Sequence, residues 1–323
     1  MKAGIYTRYG APEVIQISDI EKPVPKDHEV LVRVHSASVN PYDWHFMRGL
    51  PYPLRLAAGL RKPKVTRLGT DVAGQVETVG SGVTQFKPGD AAFGMAVGAF
   101  AEYVCASESK LCRKPDSVSF EQAASVPIAA CTALQGLRDK GRIQPGHNVL
   151  VNGAAGGVGT FAVQIAKSFG ASVTGVCSAR NLQMVRSLGA DFVIDYTQRD
   201  FTKNGQRFDL ILDCISNHSL SACRRALTPQ GSYVAVGGPA SSWMIGFAVR
   251  LIKMPVLSRL GSQKLGFIGA KSSQQDLTTI AQWIATGKVT PAIDRRYSLQ
   301  QLPDAIRYSE AGHARGKIII TLA

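Results

Sequence analysis

Residues 148–170, NVLVNGAAGGVGTFAVQIAKSFG, narrow what this chain can fold into more than any other stretch. A short apolar run, Val149-Leu150-Val151, leads into a turn, Gly153-Ala154-Ala155-Gly156-Gly157-Val158-Gly159. Apolar residues then recur at helical spacing: Phe161, Val163, Ile165, Ala166 and Phe169, with Gly170 as the stop. Strand, glycine turn and helix together form the unit that opens a dinucleotide-binding fold. The turn needs glycine because a pyrophosphate can approach only backbone that carries no Cβ, and because the helix must pack close to the strand. The helix N-terminus, with its free amides and positive dipole end, then holds the anion. The backbone of Ala155, Gly156, Gly157 and Val158 is expected to carry that contact. Against G-x-G-x-x-G, Ala154 stands in the first position while Gly156 and Gly159 match. A glycine turn with no ligand is the plain alternative.

A chain of 323 residues exceeds one typical core and implies two domains. Hydrophobic residues at 45% and charged residues at 19% belong to an ordinary globular protein, which excludes a disordered one. No apolar run reaches the length of a membrane span. The first residues, Met1-Lys2-Ala3-Gly4-Ile5-Tyr6, are strand-like at once and leave no room for a targeting peptide, so a cytoplasmic location is expected. The six cysteines form no C-x-x-C pair, and Cys177 and Cys214 lie in apolar runs where a buried thiol is expected. No disulfide framework is expected. A net charge of +14 admits nucleic acid, anionic membrane or an anionic ligand. No nucleic-acid motif accompanies it, so nucleic acid is not an expected partner.

Residues 1–125 read as an all-β domain. Gly4-Ile5-Tyr6, residues 14–17 and residues 29–34 are β-rich runs punctuated by Pro23 and Pro25. Glycines recurring between β-branched residues over 69–80 suit a curved, bulged barrel. Residues 86–90 form a turn and 100–104 another strand. From 126 the pattern alternates. Strands are expected at 172–177, 192–195, 208–213, 233–236 and 264–268, with helices at 181–188 and 220–227 between them. That alternation implies a parallel sheet with right-handed crossovers. Helices at 275–286 and 302–311 and a strand at 317–322 close the chain.

These motifs resemble the medium-chain dehydrogenase/reductase superfamily. The segments SVNPYDW (38–44), GTDVAGQVETVGSGVTQFKPGD (69–90), NGAAGGVG (152–159), SLGADFVIDY (187–196) and GHARGKIII (312–320) are similar to its quinone oxidoreductase branch. Within it, CSARN (177–181) and the GHARGK tail look like the chloroplast-envelope quinone-oxidoreductase-like enzymes, which reduce α,β-unsaturated carbonyls with NADPH. The resemblance implies an α/β protein of two parts. One is a GroES-like β-barrel over 1–125, completed by 270–323. The other is a Rossmann domain, a doubly wound parallel sheet over 126–269, and the active site lies in the cleft between them. A homodimer is usual for the branch.

The zinc alcohol dehydrogenases of that superfamily carry a zinc-ligating cysteine where this chain has Asn40. They carry Gly-His-Glu where it has Gly69-Thr70-Asp71, and a four-cysteine lobe that it lacks. Zinc needs three or four suitable ligands within reach, so no metal is expected. An NAD-selective fold places a carboxylate at the end of its second strand, about 20 residues past the glycines. Here that strand ends Val176-Cys177-Ser178-Ala179-Arg180-Asn181. A 2′-phosphate is repelled by an acid and welcomed by a hydroxyl and a guanidinium, so Ser178 and Arg180 point to NADPH. The resemblance adds Tyr196 beside the same phosphate, Thr132 near the nicotinamide ribose, and His313 and Arg315 near the C-terminus. Helix-entry solvation for Arg180 and a backbone-bonded helical threonine for Thr132 are the plain alternatives.

Hydride transfer to a quinone or to the β-carbon of an enone drives negative charge onto oxygen, which an aimed donor stabilises. Asn40, Tyr42 and Tyr52 are expected to shape that substrate site. Asn40 before Pro41 also suits a turn, and Asp43 suits a helix cap. Two basic stretches remain. Residues 50–68 carry Arg55, Arg61, Lys62, Lys64 and Arg67 and are expected to flank the substrate cleft. Residues 242–264 combine Trp243, Met244, Ile245, Phe247, Val249, Leu251 and Ile252 with Arg250, Lys253, Arg259 and Lys264. That stretch reads as a helix covering the cleft, a subunit contact or a peripheral membrane surface. The functional reading is a zinc-independent, NADPH-dependent oxidoreductase acting on a quinone or an enone. The alternative is a non-catalytic NADPH-binding protein that senses redox state or sits on a membrane.

Overall fold

The computed structural model describes residues 1–237 and 243–322, without the side chains of 243–249 and 251. It divides into two units. One comprises Met1–Cys131, Ser272–Gly287 and Pro291–Ala323, and the other Thr132–Lys271 and Lys288–Thr290.

The first unit holds β1 (Lys2–Ile5), β2 (Gln16–Asp19), β3 (Glu29–Val39), β4 (Asp71–Val79), β5 (Ala91–Met95), β6 (Tyr103–Ser107) and β7 (Leu111–Arg113). The long β3 pairs antiparallel with both β4 and β6, and its ladder with β4 shifts register between Leu31 and Val32 and again between Val34 and Ser36. Such shifts bend a strand and let one sheet wrap around its own core. The second unit holds β8 (Asn148–Asn152), β9 (Ser172–Cys177), β10 (Phe192–Asp195), β11 (Phe208–Asp213), β12 (Leu227–Ala235) and β13 (Lys264–Phe267). The chain then returns to the first unit with β14 (Ile293–Ser298) and β15 (Lys317–Thr321). There β15 is sandwiched between β14, to which it runs parallel, and β3, to which it runs antiparallel. The barrel is therefore completed by residues from the far end of the sequence. Its core gathers Val32, Val34, Val72, Val76, Phe100, Leu302, Ile306, Ile318 and Ile320.

In the otherwise all-β first unit the helix that Asp43 was expected to cap is α1 (Pro41–Arg48), and two helices need adding: α2 (Leu54–Ala58) and α3 (Phe120–Ala124). Residues 14–17 begin as a 3-10 turn, Pro12–Val14, because Pro12 has no amide to donate to a ladder. The strand expected at 100–104 lies three residues later, over Tyr103–Ser107. The short strands β5, β7 and β14 were not anticipated.

In the second unit all strand pairings are parallel, in the order β10-β9-β8-β11-β12-β13. Val149, Leu150 and Val151 are fully buried, as a strand covered on both faces requires. The order in which strands are added reverses between β8 and β11, where ligands bind in open α/β sheets. The helices are α4 (Pro127–Gln135), α5 (Gly157–Ser168), α6 (Leu182–Ser187), α7 (Leu220–Arg225) and α8 (Trp243–Leu260), followed in the barrel unit by α9 (Gln274–Ala285) and α10 (Leu302–Glu310). The helix expected at 220–227 stops at Arg225, because Leu227 already starts β12.

Ser242, expected to open a basic apolar helix, lies outside the described residues, as do the side chains of Trp243, Met244, Ile245, Phe247, Val249 and Leu251. Ile252, Val256 and Leu260 of α8 are exposed and lie one turn apart. Among the described residues no helix is long and apolar enough to cross a membrane.

Candidate functional site

The carboxyl edge of the parallel sheet carries most of the expected cofactor residues. Gly153 follows β8 with φ +85, so the left-handed residue of the turn is Gly153, one position before the Ala154 that breaks the sequence pattern. Ala154 is fully buried. The two matched glycines do different work. A Cβ on Gly159 would lie 2.1 Å from the Gly153 carbonyl oxygen and 2.8 Å from Ala154 Cα, so this glycine lets α5 pack onto the strand. A Cβ on Gly156 would meet only the Gly153 oxygen, at 3.5 Å, so this glycine faces open space. Gly156 is also the N-cap of α5 and offers no capping side chain, and the first turn contains no acid. Those amides and that dipole suit an anion. Ala155 is buried, while Gly156, Gly157 and Val158 are half-buried.

Ser178 and Arg180 follow β9, and Tyr196 follows β10. The Tyr196 amide donates to the Cys177 carbonyl at 3.1 Å, which brings Tyr196 beside the Ser178–Arg180 turn. Arg180 and Tyr196 are exposed. Sequence reasoning passed over Asn181. It is buried and donates to Ser178 Oγ at 3.2 Å, while its Oδ1 has no hydrogen-bond partner. A buried amide with an unused polar atom beside a hydroxyl and a guanidinium fits a polar ligand here. The residues present thus fit a dinucleotide with a phosphate on its adenosine ribose. Thr132 lies buried within α4, and its plain alternative as a backbone-bonded residue stands beside the cofactor one. His313 and Arg315 are exposed in the barrel unit, where the Arg315 amide donates to Asp294 at 2.8 Å. Cys177 is buried as expected and its thiol is pushed up to about 11 by burial, whereas Cys214 is only partly buried.

In the barrel unit, Asn40 belongs to a buried polar cluster. Its Nδ2 donates to Asp71 at 2.9 Å, and its Oδ1 accepts from Lys317 Nζ at 2.6 Å. Lys317 Nζ lies 3.3 Å from Asp71, which also accepts from Ser38 Oγ and the Ile128 amide at 2.8 and 2.9 Å. Asn40, Asp71 and Lys317 are 3%, 0% and 3% exposed. Both polar atoms of the Asn40 side chain are therefore engaged inside the barrel. Lys317 was missed, although a lysine opening the apolar run Lys317-Ile318-Ile319-Ile320 signals a buried cation in need of a partner. Tyr42 and Tyr52 are 46% and 59% exposed. Tyr42 packs against Phe46 with tilted rings whose centroids are 4.1 Å apart, and Arg55 lies over Tyr52 at 5.0 Å. Among the described residues no three of His, Cys, Asp and Glu converge to hold a metal ion.

Asp43 caps α1 as expected, accepting from the Asn40 amide at 2.8 Å and from the Gly69 amide at 3.0 Å. Burial outweighs those bonds, and with the nearby Asp71 it raises the carboxyl from 3.8 to about 7, against the opposing pull of Lys317. The native state then holds a proton that the unfolded chain releases. Stability from Asp43 is full below about pH 4 and is lost as pH rises through about 7, a difference on the order of 4 kcal/mol. Urea unfolding of Asp43→Asn and the parent at pH 4.5 and 7.5 checks this: the parent should lose stability over that interval and the variant should not. Equal pH dependence would rule out the assignment.

Two family models match the chain. An alcohol dehydrogenase GroES-like domain covers residues 26–116, and a model described as zinc-binding dehydrogenase covers 188–320. The chain is 32% identical to the chloroplast envelope quinone oxidoreductase homolog of Arabidopsis thaliana, over 99% of this chain and 98% of that protein. It is also 32% identical to the 2-methylene-furan-3-one reductase of Solanum lycopersicum, over 99% of this chain and 79% of that protein. Among solved structures, the Escherichia coli quinone oxidoreductase complexed with NADPH superposes with a TM-score of 0.84 at 26% identity, covering 99% of this chain and 100% of that one.

Proposed function

The chain belongs to the quinone oxidoreductase branch of the medium-chain dehydrogenase/reductase superfamily, and on that premise we propose how its own residues carry the reaction. It is an NADPH-dependent oxidoreductase that transfers hydride to a quinone or an α,β-unsaturated carbonyl compound. The observation that carries the cofactor reading is the end of β9. A hydroxyl, an exposed guanidinium and a buried amide stand there, in Ser178, Arg180 and Asn181, with no carboxylate among them.

When bound, the reduced nicotinamide supplies the hydride. The glycine turn and the first amides of α5 hold the pyrophosphate. Ser178, Arg180 and Tyr196 hold the 2′-phosphate, the guanidinium giving charge-assisted bonds that an NADH ribose cannot use. Tyr42 and Tyr52 present exposed rings and hydroxyls to an acceptor, able to stack on a quinone and to donate toward the oxygen on which charge develops. Asn40 acts through position. Its amide ties β3 to Asp71 and Lys317 and so orients the start of α1, which carries Tyr42.

Arg180→Ala tests the cofactor reading. Direct titration should show NADPH binding weakened on the order of 10- to 100-fold, with NADH changed less than about threefold. Equal losses for the two nucleotides would count against Arg180 as a 2′-phosphate ligand.

A further inference from the structure

The loop that follows β11, residues 214–218, carries a feature that the reaction above does not use. Ser216 adopts φ +58, the left-handed region, without being glycine. That conformation costs on the order of 1 kcal/mol or more and persists only where surrounding bonds impose it. Here they do. The Ser216 amide donates to Asp213 Oδ1 at 2.7 Å, and its hydroxyl donates to the Gly237 carbonyl at 2.6 Å. Its own carbonyl accepts from Arg250 Nη1 at 3.3 Å, while Arg250 Nη2 donates to the His218 carbonyl. Arg250 comes from α8 and is 9% exposed, and among the described residues no carboxylate pairs with it. A buried guanidinium is thus devoted to two backbone carbonyls of one loop.

The same loop is tied to the glycine turn. Asn152, the last residue of β8, donates to Asp213 at 2.8 Å and to the Asn217 side chain at 3.1 Å. Asp213 is fully buried and also accepts from Tyr233 OH at 2.8 Å. The Ile215 side chain lies 2.8 Å from where a Cβ on Gly153 would stand. Ile215 and Asn217 themselves are exposed. The loop therefore lines the sheet edge at the reversal between β8 and β11, on the side of the glycine turn opposite the 2′-phosphate residues of β9 and β10.

We infer that Arg250 is a positioning residue for the cofactor, holding the 214–218 loop in the strained shape that receives the nicotinamide half of NADPH. This rests on the dinucleotide reading of the glycine turn. With its pyrophosphate held at the start of α5 and its adenosine end by Ser178 and Arg180, a dinucleotide would direct its other half toward β11. Without Arg250 the loop loses two charge-assisted bonds, and Ser216 can relax out of the left-handed region before any ligand arrives. Binding the nicotinamide half must then restore that shape, which weakens affinity.

Arg250→Ala and Arg250→Lys test this by calorimetric titration with NADPH and, separately, with adenosine 2′,5′-bisphosphate, which carries the adenosine half and its 5′-phosphate but lacks the nicotinamide half. NADPH should bind about tenfold more weakly to the alanine variant and less than that to the lysine variant, which keeps a charge and donors. The bisphosphate should bind all three proteins within about twofold. Losses equal for both ligands mean a structural role only, and no loss for either means no role; each overturns the inference. Should the alanine variant fail to fold, the lysine variant carries the same comparison. A parent protein that binds neither ligand would instead sink the dinucleotide reading.

Discussion

Replacing Lys317 by methionine should lower the stability of the protein by about 3–5 kcal/mol, a fall of about 10 °C in melting temperature. The reason is the company Lys317 keeps. Its ammonium is buried, 2.6 Å from Asn40 Oδ1 and 3.3 Å from the fully buried Asp71 carboxylate. Burial pulls the Lys317 amine below the usual lysine range, while Asp71 holds it up. Methionine fills the volume but removes the cation. Asp71 keeps its bonds from Ser38, Asn40 and Ile128 yet loses its counter-charge, and an uncompensated buried carboxylate is far costlier than a missing pair. Adding Asp71→Asn to Lys317→Met should therefore recover at least half of the loss. A double variant no more stable than the single one would mean that the charge balance is unimportant. The effect reaches function through β15, which joins β14 to β3, and through Asn40, which opens α1.

The second large effect separates two glycines that a motif treats alike. Gly159→Ala puts a methyl 2.1 Å from the Gly153 oxygen, against backbone that cannot swing aside. It should cost about 2–3 kcal/mol of stability, because α5 must move off the strand. Gly156→Ala puts a methyl into open space at an extended backbone, φ −83 and ψ 177, which alanine adopts freely. Its melting temperature should stay within about 2 °C of the parent. NADPH affinity should nevertheless fall on the order of 100-fold, since the methyl occupies the pyrophosphate approach. Thermal melts and nucleotide titration of both variants decide the matter. If Gly156→Ala bound NADPH normally, the phosphate would lie elsewhere.

The readable part of this protein was the part governed by local rules. The apolar run of β8, the glycines after it and the helical spacing of α5 are contiguous, and each reflects a short-range constraint. The absence of an acid after β9 was equally local, and it carried the NADPH assignment. The short strands β5, β7 and β14 were invisible because three to six residues with mixed burial carry no clear alternation. Their partners, not their composition, make them strands. The Asn40–Asp71–Lys317 cluster depends on residues up to 277 positions apart, so Asn40 alone read as a substrate-site residue or as a turn or cap before Pro41. Ser216 in a left-handed turn and Arg250 reaching it from α8 leave no trace in composition. A serine signals no positive φ, and the bonds that impose it come from three separate elements.

Steady-state oxidation of NADPH and of NADH, by protein dialysed against a chelator and offered a panel of quinones and enones, tests the central claim most directly. The claim is that bound NADPH, placed by the β8–α5 turn, is the reducing agent and that the chain's residues need no zinc to pass hydride on. Stoichiometric consumption of NADPH with at least one acceptor, undiminished by the chelator and much slower with NADH, is the expected result. Tight NADPH binding without turnover of any acceptor, or turnover restored only by added zinc, would contradict it.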